Sequence, residues 1–343
     1  MPKPSMTSGP LVPLYHPTSI LLVDDNEAFL RSVQLVLGSG FECIAFKTAS
    51  EAISFIRSEP ARIAEVLTPT QPEIESAMEH IRDPDERMSH LMMARLPRVF
   101  GDRSRFARAS VLVVDNTMPG MSGLGMIESL SDAPLRKVLL AEMVEEAAAQ
   151  QALDRGLIDA FCPKHQPRLF DGLVQHLTDL QVAFFSRLTE PFRPALASSD
   201  LRFFREPAFG EVFASFARKH QIIEHCVLMH PPGILGINEE GIPSILLMVD
   251  DDYRQASFEI AQAEGAPVEL LKQLIGPSVV AAFPTATGYY SKELEGNWEP
   301  FVRTGMPVGD NGWLAATLCE CDVVRRACGS VASYSEHRQR RPN

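Results

Sequence analysis

The stretch SVLVVDNTMPGMSG, residues 110–123, runs from a continuous apolar strand into a carboxylate and then a tight turn. The helical segment GLGMIESL follows from it. An apolar run ending in acid recurs upstream as ILLVDDN (20–26), where two carboxylates stand side by side. Downstream, KVLLAE (137–142) and IDAFC (158–162) read as further strands, the latter followed by Pro163 and Lys164. FECIAF (41–46) is a fifth candidate. Helical spacing fills the gaps. Phe29, Val33, Val36 and Leu37 precede the stop at Gly38 to Gly40, SEAISFI covers 50–56, VEEAAAQQALDRG closes at Gly156, and a long helix is expected over about 169–188. Strands alternating with helices imply right-handed βαβ units, hence an α/β domain with a doubly wound, five-stranded parallel sheet. Strands covered on both faces should be apolar throughout, as these are.

In an open parallel sheet, chemistry gathers at the carboxyl ends of the strands. There the pattern places Asp24 and Asp25 after the first strand, Asp115 after the third and Lys164 after the fifth. Three converging carboxylates repel, by about 4 kcal/mol per pair at 4 Å near a surface. A hard cation with oxygen ligands relieves this, and Mg²⁺ fits. An Asp held beside a cation and a lysine can accept a phosphoryl group, because those charges stabilise the transferring oxygens. Acids at strand ends are also common helix caps, which by itself would account for Asp24.

With LLVDDN, VLVVDNTMPGMSG and DAFCPK in this order, residues 18–190 resemble the receiver domain of two-component response regulators. The resemblance implies a flavodoxin-like fold with Asp115 as the phosphoacceptor. It implies Mg²⁺ bound directly by Asp25, Asp115 and the Thr117 carbonyl, with Asp24 helping through water. Lys164 would be the catalytic cation that pairs with the phosphoryl oxygens. A sensor histidine kinase or a phosphotransfer protein would be the donor. Three departures accompany it. The strand end where the family carries a hydroxyl holds Ala141, so the resemblance does not extend to hydroxyl-driven switching. The order Pro163-Lys164-His165 replaces lysine followed by proline. An insert of about 58–109, rich in proline and helical pieces such as EIESAMEHI, precedes the third strand. Phe161 occupies the place of the aromatic that repacks on activation in the family. A receiver that works as a phosphorylation-independent interaction module is the alternative that Ala141 leaves open.

The chain has 343 residues and a net charge of −12, room for two domains. We expect a loose tail over 1–17, the receiver over 18–190, an output domain over 195–335 and a tail over 336–343. No apolar run reaches the roughly 18 residues needed to span a bilayer, so the reading is a cytoplasmic protein without membrane contact. The six scattered cysteines suit reduced, buried thiols, and Cys319-x-Cys321 lacks a second pair for zinc. In the output domain, HCVLMH, GILGIN and PSILLMV are closely spaced strands, with later ones in SVVAAF and WLAATLCEC. Helices in PAFGEVFASFARKH, DDYRQASFEIAQAEG and PVELLKQLIG complete an α+β domain with an antiparallel sheet. The second VDDD at 249–252 reads as a helix start rather than a second phosphate site. His225, Cys226 and His230 make a poor ligand set on a strand. Tyr289, Tyr290 and Trp298 either line a pocket or pack a surface loop.

From Leu196 onward 13 Lys and Arg stand against 19 Asp and Glu, and no basic reading helix is evident, which excludes a specific duplex DNA binder. The output domain is left as a binding module for a protein or a small nucleotide-like ligand, or as an enzyme gated by the receiver. The layout of a receiver with a long insert and an acidic output also resembles the response regulators of α-hydroxyketone quorum-sensing systems. The helix LFDGLVQHLTDLQVAFF carries more than one apolar stripe, including Leu173, Leu177, Phe184 and Phe185. The surplus needs a cover, which a second chain in a homodimer through the receiver, or the output domain, would supply.

Overall fold

The computed structural model describes residues 11–38, 40–58, 62–142, 145–165, 169–197, 199–294, 296–319 and 322–340. In chain order its strands are β1 (Leu14–Tyr15), β2 (Ser19–Val23), β3 (Glu42–Phe46), β4 (Ala109–Asp115), β5 (Arg136–Ala141), β6 (Ala160–Pro163), β7 (Ile222–Leu228), β8 (Gly233–Asn238), β9 (Pro243–Val249), β10 (Val279–Ala281), β11 (Val302–Thr304), β12 (Met306–Val308) and β13 (Trp313–Cys319). They divide between two compact units.

The first unit contains Pro17–Arg62 and Ser104–Leu188. Its sheet has the order β3-β2-β4-β5-β6 and every neighbouring pair is parallel. Successive side chains of a strand alternate between faces, and both faces are covered. Leu21, Val23, Leu112, Val114 and Leu139 pack under the helices Ala49–Ser58, Gly123–Ser129 and Glu146–Asp154. Ile20, Leu22, Val111, Val113 and Leu140 pack under Glu27–Leu37 and Leu169–Leu188. Each such side chain contributes about 1.5–3 kcal/mol by leaving water. Of the long helix, Leu173, Leu177, Phe184 and Phe185 are all buried within this chain. Val174 and Leu180 on the same helix are partly buried.

The second unit contains Leu11–His16, Ile63–Arg103 and Thr189–Asn343. Its main sheet has the order β1-β7-β8-β9-β13-β12 and is antiparallel throughout, and β10 pairs with β11 in a separate ribbon. Helices Phe209–Lys219, Asp251–Ala263 and Val268–Leu274 complete an α+β unit.

Three boundaries differ from the sequence reading. Residues 11–16, expected in a loose tail, add an edge strand. Leu14 pairs with Cys226, Val227 N donates to Pro13 O at 2.9 Å, and Leu14 is fully buried. The unpaired backbone of β7 is satisfied in this way. Residues 1–10 of that tail lie outside the described residues.

The insert, assigned by sequence to the receiver, packs from Ile63 to Arg103 into the second unit. Helix Pro84–Ala94 lies on Arg193–Leu196, with Ala195 N donating to Ser89 Oγ at 3.1 Å, and Ala332 N donates to Phe100 O at 2.9 Å. Phe100 and Met93 are buried there. The short helices of the insert expose too little apolar area to form a core of their own, and this sheet supplies one. At the C-terminus, Tyr334–Gln339 is a helix capped by Ser333 and tied by Glu336 to Arg103, so only 341–343 of the expected tail lie outside the described residues.

Candidate functional site

Strands β2, β4 and β6 of the first unit's sheet each deliver a charged residue at the same edge. Asp24 follows β2 and is almost wholly buried. Its Oδ1 accepts from Asn26 N at 2.8 Å and its Oδ2 accepts from Lys164 Nζ at 2.8 Å. Helix Glu27–Leu37 is capped by Asn26, whose side chain accepts from Ala28 N and Phe29 N. Asp24 is thus not the cap, which frees its carboxylate for the pocket. Asp115 closes β4, is 4% exposed, and lies 2.9 Å from the same Lys164 ammonium. Asp25 is exposed at the rim, and ligand oxygens of Asp24, Asp25 and Asp115 all lie within 4.8 Å of one another.

Lys164 comes just after β6. Its N–H donates to Ala141 O at 2.9 Å, which continues the ladder past Pro163, and its ammonium sits 4.8 Å over the Phe29 ring. Burial draws the lysine pKa down, but the hydrogen bonds and charges of Asp24 and Asp115 outweigh it and leave it raised. Burial, joined by the charge of Asp24, raises the Asp115 carboxyl above its ordinary value, against the lowering by Lys164 and a hydrogen bond from the Thr117 backbone. One lysine therefore does not fully neutralise two buried acids. Asp115 Oδ1 is buried without a hydrogen-bond partner. An orphaned carboxylate oxygen beside two further carboxylates fits a hard, oxygen-binding cation. Asp25, Asp115 and the Thr117 carbonyl are the groups that would hold Mg²⁺, with Asp24 outside them.

The turn after Asp115 explains its glycines. Gly120 has φ +83°, the left-handed region in which a side chain is strained. Gly123 lies so close that an added Cβ would stand 2.4 Å from Asp115 O. Ala141 ends β5 fully buried, beside the pocket and without a hydroxyl. Phe161 is half-buried on β6 and lines a cavity of about 330 Å³ with Leu169 and His176. The sequence reading did not find Glu145. Its Oε1 accepts from Asn116 Nδ2 at 2.7 Å and Thr117 Oγ1 at 2.8 Å, and its Oε2 accepts from Glu142 N at 2.9 Å. In sequence it is one of two adjacent acids at a helix start, and nothing there marks which of them turns toward the acceptor loop.

The other sequence candidates are resolved separately. Asp250 caps helix Asp251–Ala263 by accepting from Tyr253 N at 2.9 Å, and pairs with Arg202 at 3.2 Å. It borders a bowl of about 440 Å³ with Arg205, Glu206, Asn311 and Trp313. His225 is buried, donates from Nε2 to Val12 O at 2.9 Å and stacks on Tyr15. Tyr290 and Trp298 are buried and Tyr289 stacks on Tyr253, so these rings pack the loop rather than line an open pocket. Cys319 is an exposed thiol 3.8 Å from His220 Nδ1, and Cys321 lies outside the described residues. Among the described residues no helix is long and apolar enough to cross a membrane.

The strand order 2-1-3-4-5 of the first unit, with its acidic pocket at the carboxyl ends of the strands, is the receiver fold. Across both units the chain is similar in fold to the Legionella pneumophila response regulator LqsR, with TM-score 0.71, 20% identity and 96% of each chain covered. Matches over about half of this chain include the signal receiver domain of an HD domain-containing protein from Pseudomonas fluorescens Pf-5, at 13% identity and TM-score 0.35 over 52% of this chain and 98% of that one. A response regulator receiver domain protein from Clostridium thermocellum matches at 14% identity and TM-score 0.30, over 50% of this chain and 96% of that one. No protein-family model and no curated protein matches the chain.

Proposed function

We propose that this protein is a cytoplasmic response regulator of a two-component system. Its receiver takes a phosphoryl group on Asp115, and its second unit signals without binding DNA specifically. The observation that carries the reading is Lys164 shared by the buried Asp24 and Asp115, with Asp115 Oδ1 left unpartnered beside Asp25. In the reaction, an Asp115 oxygen attacks phosphorus on the phosphohistidine of a sensor kinase or phosphotransfer protein. The P–N bond breaks, the imidazole leaves with the bonding pair and takes up a proton, and an aspartyl phosphate remains. Lys164 moves its charge onto the phosphoryl oxygens as they approach. Bound Mg²⁺ supplies the positive charge that such a transfer needs.

The likeness to LqsR over both units supports placing the output in the same structural class. The layout supports a role in quorum-sensing signalling. The mixed charges of the bowl at Arg202, Arg205, Glu206 and Asp250 favour a small polar ligand of the output unit, with a protein partner as the alternative. Treating the protein with acetyl phosphate and weighing it intact tests the core of the reading. One phosphoryl adduct is expected with Mg²⁺ and none after Asp115→Asn. An adduct that survives the substitution, or none in the wild type, overturns it.

A further inference from the structure

The acceptor loop is held by a carboxylate. Asn116 and Thr117 directly follow Asp115, and both side chains donate to one oxygen of Glu145. Asn116 is clamped on its other side as well. Its Oδ1 accepts from Leu124 N at 3.2 Å, its N donates to Leu140 O and its O accepts from Gly123 N. The Nδ2 group is therefore the part of Asn116 whose partner can change without disturbing the fold. Glu145 also holds its own loop by accepting from Glu142 N. The charge that acts on this carboxylate is the Lys164 ammonium, which attracts it, while Glu142 meets it only through its backbone N–H. Lys164 is already shared between Asp24 and Asp115.

We propose that Glu145 reports the charge at Asp115, in place of the hydroxyl that Ala141 lacks, by releasing Asn116 and Thr117 when that charge grows. The inference rests on the reading that Asp115 takes a phosphoryl group. A phosphoryl group adds negative charge and three acceptor oxygens beside Asn116. It draws Lys164 toward itself and away from Glu145. A hydroxyl at the strand end would be pulled in by these oxygens, whereas a carboxylate is pushed out. The sign of the local response is thereby inverted. The released Asn116 Nδ2 regains a partner by donating to a phosphoryl oxygen, so no buried donor is stranded. Glu145 is a positioning residue, acting through Asn116 and Thr117. Its negative charge and the acceptor's negative charge oppose each other, and by linkage each weakens the binding of the other.

Beryllofluoride with Mg²⁺, added to the full chain and followed by fluorine NMR, measures this directly. Glu145→Gln keeps an Oε1 acceptor for Asn116 and Thr117 but removes the charge. It is expected to bind beryllofluoride at least about fivefold more tightly than the wild type, the lower end of usual coupling between sites. A merely structural role predicts the reverse, since loosening the loop weakens binding. A second readout needs no variant. The Asn116 side-chain amide signals of the wild type, identified by their loss in Asn116→Ser, are expected to move when beryllofluoride is added over Mg²⁺ alone. Equal or weaker binding by Glu145→Gln, or amide signals that stay fixed while the wild type binds, overturns the role of Glu145 alone. A wild type that takes neither beryllofluoride nor phosphoryl overturns the reading of Asp115 as well.

Discussion

Asp24 and Asp115 are 91 residues apart in sequence and meet at a single ammonium group, 2.8 Å and 2.9 Å from Lys164 Nζ. Neither acid has appreciable contact with water, so the lysine carries more than a surface ion pair would. Removing it leaves two buried like charges. Lys164→Met is expected to lower unfolding free energy by about 3 kcal/mol, the lower end for breaking a buried pair because the lysine is itself partly exposed. Urea titrations check this without divalent metal, where unchanged stability would show that the acids do not depend on Lys164.

Mg²⁺ should stabilise the folded chain. At a hundredfold excess over its dissociation constant, a ligand of the folded state alone adds about 2.7 kcal/mol. Asp25→Asn should weaken this response, because Asp25 is the exposed acid that would complete the ligand set. Thermal melts with and without Mg²⁺ give the comparison, and an undiminished rise in the variant rules Asp25 out as a ligand.

Gly123→Ala places a methyl 2.4 Å from Asp115 O, against backbone that cannot yield as a side chain does. The expected loss is about 1–3 kcal/mol, together with slower labelling of Asp115 by acetyl phosphate. Normal stability and normal labelling would show that the turn relaxes freely.

Asp250 caps a helix, so Asp250→Ala should cost about 1 kcal/mol, in line with other N-caps, and leave labelling at Asp115 untouched. Denaturant midpoints and adduct mass are measured on the same variant. A loss of labelling would give the second acidic run a role in the acceptor chemistry.

Burial of His225 lowers its pKa to about 4, against an ordinary value near 6.5, while its bond to Val12 O pulls the other way. The folded chain holds this imidazole neutral where the unfolded chain protonates it. Stability from this group is intact above pH ~6.5, falls as pH drops toward 4, and levels off below; the full difference is about 3 kcal/mol. His225→Gln should flatten that part of the stability–pH curve, and a curve of unchanged slope would refute the assignment.

What the sequence determined by itself was the receiver sheet and the residues at its edge. Parallel strands buried on both faces must be apolar, so SILLV, SVLVVD and KVLLA announce themselves, and the polar residue ending each run falls at one rim of the sheet. Asp24, Asp25, Asp115 and Lys164 follow from that rule together with strand order. The antiparallel strands of the second unit were legible for the same reason, since β7, β8 and β9 are short apolar runs separated by turns.

Only the tertiary structure decided which core each weakly patterned segment joins. The helices of the insert have few buried residues of their own, and their allegiance to the second unit depends on side chains such as Phe100 and Met93 finding a sheet distant in sequence. Leu14 and Tyr15 became a strand because β7 had an open edge, a property of β7 and not of those two residues. Asn26 rather than Asp24 took the helix cap because backbone dihedrals, not composition, decide which of adjacent polar side chains reaches the free N–H groups. Glu145 found Asn116 and Thr117 through the same kind of choice. Two adjacent acids point in different directions from one turn, and the direction is set by the loop conformation that the packed sheet imposes.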